Sequence, residues 1–433
     1  MKKKLFVLVL LIGVCVPFVG AQRQPKFGKY FEDQTLRMDY YRVGNRKADT
    51  VELCRYVKKH GGWAGSQMVM LDPFDNGDYR VVMVDAASGV EIYSRGYNTL
   101  FREYRDTKAG EDSVARLEEV VLMPWPKAAV YIRMEKRDER MRMQPQVTLL
   151  FDPRTTEVTT LPTGDSTRAA MKLRYEGNSH RKMDVVIVPE GYGPKDKGKM
   201  RRDMYKFADY TLAQEPFKGR AKDFNLWTLP CVGEESGITN PGKGLRVNSA
   251  VGATYYTFGS DRYLMTFNLF KLHDVLDEVP YDHIIIMANS DTYGGGAIYN
   301  FYAVSAVQEM SMYILPHELG HSIGGLADEY VDEDLSYGDM HKAEAEPVEP
   351  NITNLVDFGS KWADMLPEGT AVPTPENPQV SRRENGPLGV YEGAGYKPKG
   401  VYRPVMHCMM RDYAPFCPVC SKRLNEVFDL YCK

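Results

Sequence analysis

Residues 317–321 read His-Glu-Leu-Gly-His. On a helix, residues four apart share a face, so His317 and His321 can offer two imidazole nitrogens to one metal ion. Glu318 lies beside the first of them, where its carboxylate can reach a metal-bound water. That is hydrolytic chemistry: zinc acidifies the water and polarises a carbonyl, and the carboxylate takes the proton. Two of only eight histidines fall in this motif, which makes chance a weak explanation. Gly324 and Gly325 follow and can end the helix and turn the chain, because glycine adopts left-handed backbone at little cost. Asp328, three residues past Gly325, is then positioned as a third ligand, with Glu329 as the competing carboxylate. Two imidazoles and one carboxylate leave a position on zinc open for water.

The elements that must hold these residues alternate between strand and helix. Residues 183–189 (MDVVIVP) form a nearly continuous apolar run suited to a strand covered on both faces. Residues 200–217 carry Met204, Phe207, Ala208 and Leu212 at helical spacing. A strand over 225–232, a helix over 262–279 and a strand over 283–288 follow, which implies an α/β layer. Residues 335–400 are rich in Pro, Gly and charge and read as loops. Before residue 160 the pattern differs. Short runs at 79–85, 90–95, 119–123, 128–134 and 146–151 are separated by turn chemistry such as Asp75-Asn76-Gly77-Asp78 and Ala87-Ser88-Gly89. The expected architecture is a two-domain α+β / α/β chain, an N-terminal antiparallel β-sandwich followed by an α/β domain. The sandwich shows no cluster of catalytic residue types and reads as a packing or substrate-presenting module.

The chain has 433 residues, with 55 Lys and Arg against 58 Asp and Glu. Its ordinary apolar content excludes disorder over most of its length, and its near-neutral charge offers no field for a nucleic acid backbone. Lys2, Lys3 and Lys4 precede an apolar run over 5–19 and then Gly20 and Ala21, the order of a secretory leader cleaved after Ala21. Val14 before Cys15 argues against a lipoprotein, and the run is too short, with Pro17 inside it, for a membrane span. The expected divisions are a leader over 1–21, an accessory domain over 22–163 and a catalytic domain over 166–433. Export of the protein to the periplasm, cell surface or beyond changes the reading of Cys54, Cys231, Cys408, Cys417, Cys420 and Cys432. Disulfides are the expectation, with unpaired buried thiols or a structural zinc site as alternatives.

The run HELGHSIGGLADEY resembles the active-site signature of the bacterial IgA peptidase family, secreted zinc peptidases related to the metzincins. Residues 186–192, 293–297 and 403–420 extend the resemblance across most of the mature chain. It implies a metzincin-like zinc peptidase domain fused to an N-terminal accessory domain, with a protein substrate such as immunoglobulin A or a mucin-type glycoprotein. The usual metzincin spacing puts the third ligand at position 327, and Ala327 cannot bind a metal. Gly325-x-x-Asp328 preserves the glycine-to-ligand distance if one extra residue lies before the turn, which favours Asp328 over Glu329. Pro316, directly before the first ligand, fits if the helix begins at or just before it.

The resemblance also implies a methionine turn beneath the metal, for which Met410, with Met409 close behind, is the candidate. Tyr413 or Tyr330 can stabilise an oxyanion, and His407 reads as a structural histidine. Gly294-Gly295-Gly296 lacks the residues of a phosphate loop and precedes a strand over 297–302 that borders the cleft, where an extended substrate can pair. The expected reaction is peptide hydrolysis without a covalent intermediate. Zn2+ is held by His317, His321 and Asp328, with Glu318 as base. The rival from another class is a non-catalytic surface protein that keeps the fold and binds glycoprotein.

Overall fold

Strands β1 (Phe31–Gly44), β2 (Asp49–Lys59), β3 (Tyr79–Asp85), β4 (Glu91–Tyr97), β5 (Ala115–Pro126), β6 (Val130–Arg137) and β7 (Met143–Phe151) make two antiparallel sheets, ordered β2-β1-β5 and β4-β3-β6-β7. The structure is a computed structural model and describes residues 24–164, 169–332 and 341–432. The expected leader lies outside them. One-turn helix α1 (Phe27–Tyr30) leads into β1, and α2 (Leu100–Asp106) and α3 (Lys108–Asp112) cross between β4 and β5. Leu36, Met38 and Tyr40 of β1, Val81 and Met83 of β3, and Ile132 and Met134 of β6 share one core. The sheets therefore bury facing sides against each other.

The two long strands β1 and β2 are absent from the runs that the alternation singles out. Arg37, Asp39 and Arg42 in β1 are polar on paper but wholly buried. Arg37 pairs with Asp39 at 2.6 Å and with Asp274 of the second domain at 2.7 Å, and Arg42 pairs with Glu119 at 2.9 Å. Burial on both faces erases the polar–apolar rhythm that reveals a half-exposed strand.

The second domain is built on a sheet ordered β14-β15-β13-β9-β10-β8, comprising β8 (Met171–Arg174), β9 (Met183–Glu190), β10 (Phe224–Thr228), β13 (His283–Ala288), β14 (Gly295–Ile298) and β15 (Tyr302–Ala306). Its four inner strands run parallel, and both edge strands are antiparallel. All eight residues of β9 are buried, as its apolar run predicts. Met183, Val185 and Ile187 face one core while Val186 and Val188 face another, the period of two expected of a strand covered on both sides. The first core packs under helices α4 (Lys197–Thr211), α6 (Ser311–Gly324) and α8 (Pro418–Cys432); α5 (Leu269–Val275) lies on the second. Between α6 and α8 come the hairpin β16 (Tyr391–Ala394) and β17 (Lys397–Arg403) and the single turn α7 (Met409–Asp412).

Several expected bounds shift. The helix expected over 200–217 is α4, which ends at Thr211. The strand expected over 225–232 stops at Thr228, before Pro230. The helix expected over 262–279 is confined to α5. Its first part instead pairs as strand: β12 (Met265–Thr266) joins β11 (Ala253–Thr254), and Leu264 donates its N–H to Gly295 O at 3.1 Å. The strand expected over 297–302 straddles a reversal, with Asn300 at φ 55°, so that β14 and β15 form a hairpin. The Asp75–Asp78 turn joins no hairpin either.

That turn reaches the second domain. Asn76 Nδ2 donates to Gly325 O at 3.3 Å, and Gly325 is the residue that ends α6. Elsewhere in the seam Arg55 joins the Asp39 and Asp274 carboxylates, and Lys59 Nζ donates to Asp277 O and Val279 O at 2.9 and 2.6 Å.

Candidate metal centre

Helix α6 starts at Ser311, so Pro316 sits inside it and not in its first turn as expected. Proline has no N–H to give to the carbonyl four residues back, and packing compensates: Ile314, Leu315, Leu319 and Ile323 are all at most 2% exposed. The helix ends as glycine allows. Gly325 takes φ 59° and ψ 35°, and its N–H returns to His321 O at 2.9 Å. This left-handed residue swings the chain so that Asp328 comes back over the histidine face.

His317 Nε2 and His321 Nε2 are 3.1 Å apart, and Asp328 Oδ1 is 3.1 Å from the first and 3.3 Å from the second. All three side chains are nearly withdrawn from solvent. His317 Nδ1 bonds Met409 O at 2.8 Å and His321 Nδ1 bonds Leu326 O at 2.7 Å. A carbonyl only accepts, so both Nδ1 atoms carry hydrogen and, in neutral rings, both Nε2 atoms present lone pairs. Asp328 Oδ1 makes no hydrogen bond of good geometry. Two ring lone pairs and an orphan carboxylate oxygen converging within about 3 Å repel one another unless a cation lies among them. The donor set therefore fits zinc, two nitrogens and an oxygen with room for a further ligand.

The other Asp328 oxygen, Oδ2, accepts the Tyr396 hydroxyl. The loop bearing Tyr396 is tied to the same segment, since Gly395 N–H reaches Asp328 O at 2.9 Å and Tyr396 N–H reaches Tyr330 O at 3.0 Å. Burial acts to raise the Asp328 carboxyl, but positive charge on His321 and His317, which protons supply where no metal is bound, outweighs it and holds the group well below the usual carboxylate range. Glu318 is shifted the other way. Burial raises its carboxyl above the ordinary value, with His317 and His321 opposing, a direction that suits a proton acceptor working near neutrality. Gly295 makes room for it, because a methyl group there would lie 2.8 Å from Glu318 Oε1. Of the glycine run, Gly295 thus serves the carboxylate.

Glu329, the competing candidate, points away from the histidines and into a group of buried cysteines. Met410 packs under α6, where a Cβ on Gly320 would meet its Sδ at 2.4 Å. Met409 contributes through its backbone, by the carbonyl that orients His317. Tyr413 is at the cleft, its hydroxyl 2.6 Å from that of Tyr293 and its ring 5.9 Å from that of His317. Tyr330 also lines the cleft, with its ring stacked edge-on to Tyr396. His407 pairs with Asp412, a structural contact. The cysteines expected to form disulfides are all thiols among the described residues.

The histidines open onto a cleft of about 470 Å³, within the 300–1,000 Å³ typical of ligand sites. Asn76, Asn98 and Glu103 from the first domain line it together with Arg262, Ala297 and Tyr293. Glu103 accepts the Tyr263 hydroxyl at 2.7 Å, and burial pushes its carboxyl up to about 7. Neither Glu103, Asn76 nor Tyr396 was foreseen from the sequence. The only signals were an Asn-Gly pair, which reads as a hairpin turn, and Gly393 and Gly395 before a tyrosine.

Family models match the chain in two parts. The model described as IgA Peptidase M64 matches residues 171–387 and 379–428, and that described as Peptidase M64 N-terminus matches residues 26–148. No curated protein matches the chain.

Proposed function

The chain belongs to the IgA peptidase M64 family, and from that premise we propose that it is an exported, zinc-dependent endopeptidase acting on glycoproteins such as immunoglobulin A. The leader over 1–21 is removed, residues 22–163 form the accessory domain and residues 166–433 carry the chemistry. The observation that supports zinc is the convergence of His317 Nε2, His321 Nε2 and Asp328 Oδ1. His317, His321 and Asp328 would hold zinc, which would supply an acidified water and a polarised scissile carbonyl.

The chain's own groups do the rest. Glu318 takes the proton from the attacking water and later delivers it to the leaving amine. The Met409 and Leu326 carbonyls hold the imidazole tautomers, and Tyr396 orients Asp328. Extended substrate lies along β14. Gly295 of that edge already bonds Arg262 and Leu264 through its N–H and C=O, so Ala297, two residues on and facing the same way, is the pairing position. Tyr413, braced by Tyr293, stabilises the developing oxyanion. The sheet with its antiparallel edge strand, the helix with two histidines, the glycine turn and Met410 beneath it together support a metzincin-like reading.

The test uses the full chain loaded with zinc, and a Glu318→Ala variant, each incubated with immunoglobulin A and with a broad peptide library, with and without chelator. Expected are cleavage by the wild type, its loss on chelation and return with zinc, and a drop of about 10²- to 10⁴-fold in the variant. No cleavage by the zinc-loaded wild type would favour the non-catalytic glycoprotein binder.

A further inference from the structure

Glu329 turns its carboxylate to the opposite side of the chain from Asp328 and meets three thiols. Cys408, Cys417 and Cys420 are each 0% exposed, as is Glu329, and one ligand atom from each lies within 4.8 Å of all the others. Cys408 Sγ and Cys420 Sγ are 3.8 Å apart, and Cys420 Sγ is 3.3 Å from Glu329 Oε1. A disulfide brings sulfurs to about 2.05 Å. Tetrahedral zinc with Zn–S near 2.3 Å and Zn–O near 2.0 Å sets sulfurs about 3.8 Å apart and sulfur to oxygen about 3.5 Å apart. Both spacings fit a shared ion.

The surroundings agree. Cys417 N–H points at Cys408 Sγ and Cys420 N–H at Cys417 Sγ, both at 3.4 Å, so backbone donors face sulfurs that would carry negative charge as ligands. Glu329 Oε1 accepts from Asn351 Nδ2 at 2.9 Å, but Oε2 is buried with no partner at all. A buried carboxylate oxygen left unpaired among apolar side chains is costly, and a cation in reach removes that cost.

We propose that Cys408, Cys417, Cys420 and Glu329 bind a second, structural zinc ion, separate from the one held by the histidines. The set is closed, with four protein ligands, and binding releases the thiol protons to solvent. Its place in the fold assigns its task. Cys408 immediately precedes Met409, whose carbonyl orients His317, and Glu329 immediately follows Asp328. Glu329 N–H also donates to Met410 O at 2.7 Å, and Arg411 Nη1 to Glu329 O at 3.0 Å. The ion therefore clamps together the two segments that position His317 and Asp328, and the four ligands are positioning residues that never meet substrate.

The test counts zinc per chain by elemental mass spectrometry in the full-length protein, in a His317→Ala/His321→Ala variant and in a Cys417→Ser/Cys420→Ser variant, with intact mass measured without reduction. Expected are two zinc ions in the wild type, one in each variant, and, after acid has denatured the chain and stripped the metal, a mass that has lost no hydrogen to a disulfide. Should the cysteine variant not fold, the histidine variant loaded with cobalt decides alone, since only thiolate ligands give an intense near-ultraviolet charge-transfer band. A wild type with a single zinc and that cobalt band would uphold this site while removing the histidine one. A disulfide among the three cysteines, or a histidine variant with no zinc and no cobalt band, would overturn the proposal.

Discussion

Asp328 and Glu329 are consecutive, yet Asp328 Oδ1 lies 3.1 Å from His317 Nε2 while Glu329 Oε1 lies 3.3 Å from Cys420 Sγ. One peptide bond separates two donor sets of different chemistry. Replacing Asp328 with Ala should abolish peptidase activity and release the histidine-bound metal, leaving the thiolate-bound ion in place. Glu329→Ala should do the reverse to the metal count, keeping the histidine-bound ion. Zinc content and the cobalt spectrum of each variant check the assignment.

Tyr396 touches no metal ligand atom directly involved in the convergence; it holds the other oxygen of Asp328. Removing its hydroxyl frees that carboxylate to rotate. Tyr396→Phe should weaken zinc binding or activity by about 10- to 100-fold, the usual cost of losing a partner of a metal ligand. Competition against a chelator of known affinity measures the binding part.

Gly295 borders Glu318 so closely that a methyl group would stand 2.8 Å from Oε1 and 2.9 Å from Ile314 Cγ2. Gly295→Ala should cost about 1–3 kcal/mol of stability from overpacking. It should lower kcat more than it raises KM, because the displaced group is the proton acceptor and not a binding contact. Steady-state kinetics on a cleaved peptide separates the two constants.

His283 in β13 is buried with neither ring nitrogen partnered, and burial pushes its pKa down to about 3. In the unfolded chain it titrates near 6.5. The unfolded state therefore binds the extra proton between those values, and the folded state loses stability as pH falls from 6.5 towards 3. The loss approaches about 4 kcal/mol at the acid end. His283→Leu should flatten this part of the pH dependence while leaving stability at pH 7 equal or higher. Urea midpoints of both proteins from pH 4 to 7 give the comparison.

Much of the site was legible because its signals are local. The four-residue spacing of His317 and His321 is a property of a helix, and Gly325 marks a left-handed end. Strand β9 announced itself by an unbroken apolar run. What stayed hidden depends on distant segments. Arg37, Asp39 and Arg42 look like surface residues until Asp274 and Glu119 are brought to them. Tyr396 is 68 residues from Asp328, and nothing in its neighbourhood names its partner. Export favours disulfides for the cysteines, whereas the described ones are all thiols, with Cys408 and Cys420 sulfurs 3.8 Å apart, too far to be bonded. Pro316 was placed at a helix start by propensity, and the tertiary packing of α6 overrode it.

The hydrogen bond from Asn76 to the carbonyl of Gly325, with Glu103 facing the histidines across the cleft, means that the gorge has walls from two bodies. Its width is set by how those bodies are docked, through Arg37, Arg55, Lys59 and their partners. A change in that seam would alter the girth of polypeptide that can be threaded, and through Asn76 it would also reach the turn at Gly325 that brings Asp328 to the histidines.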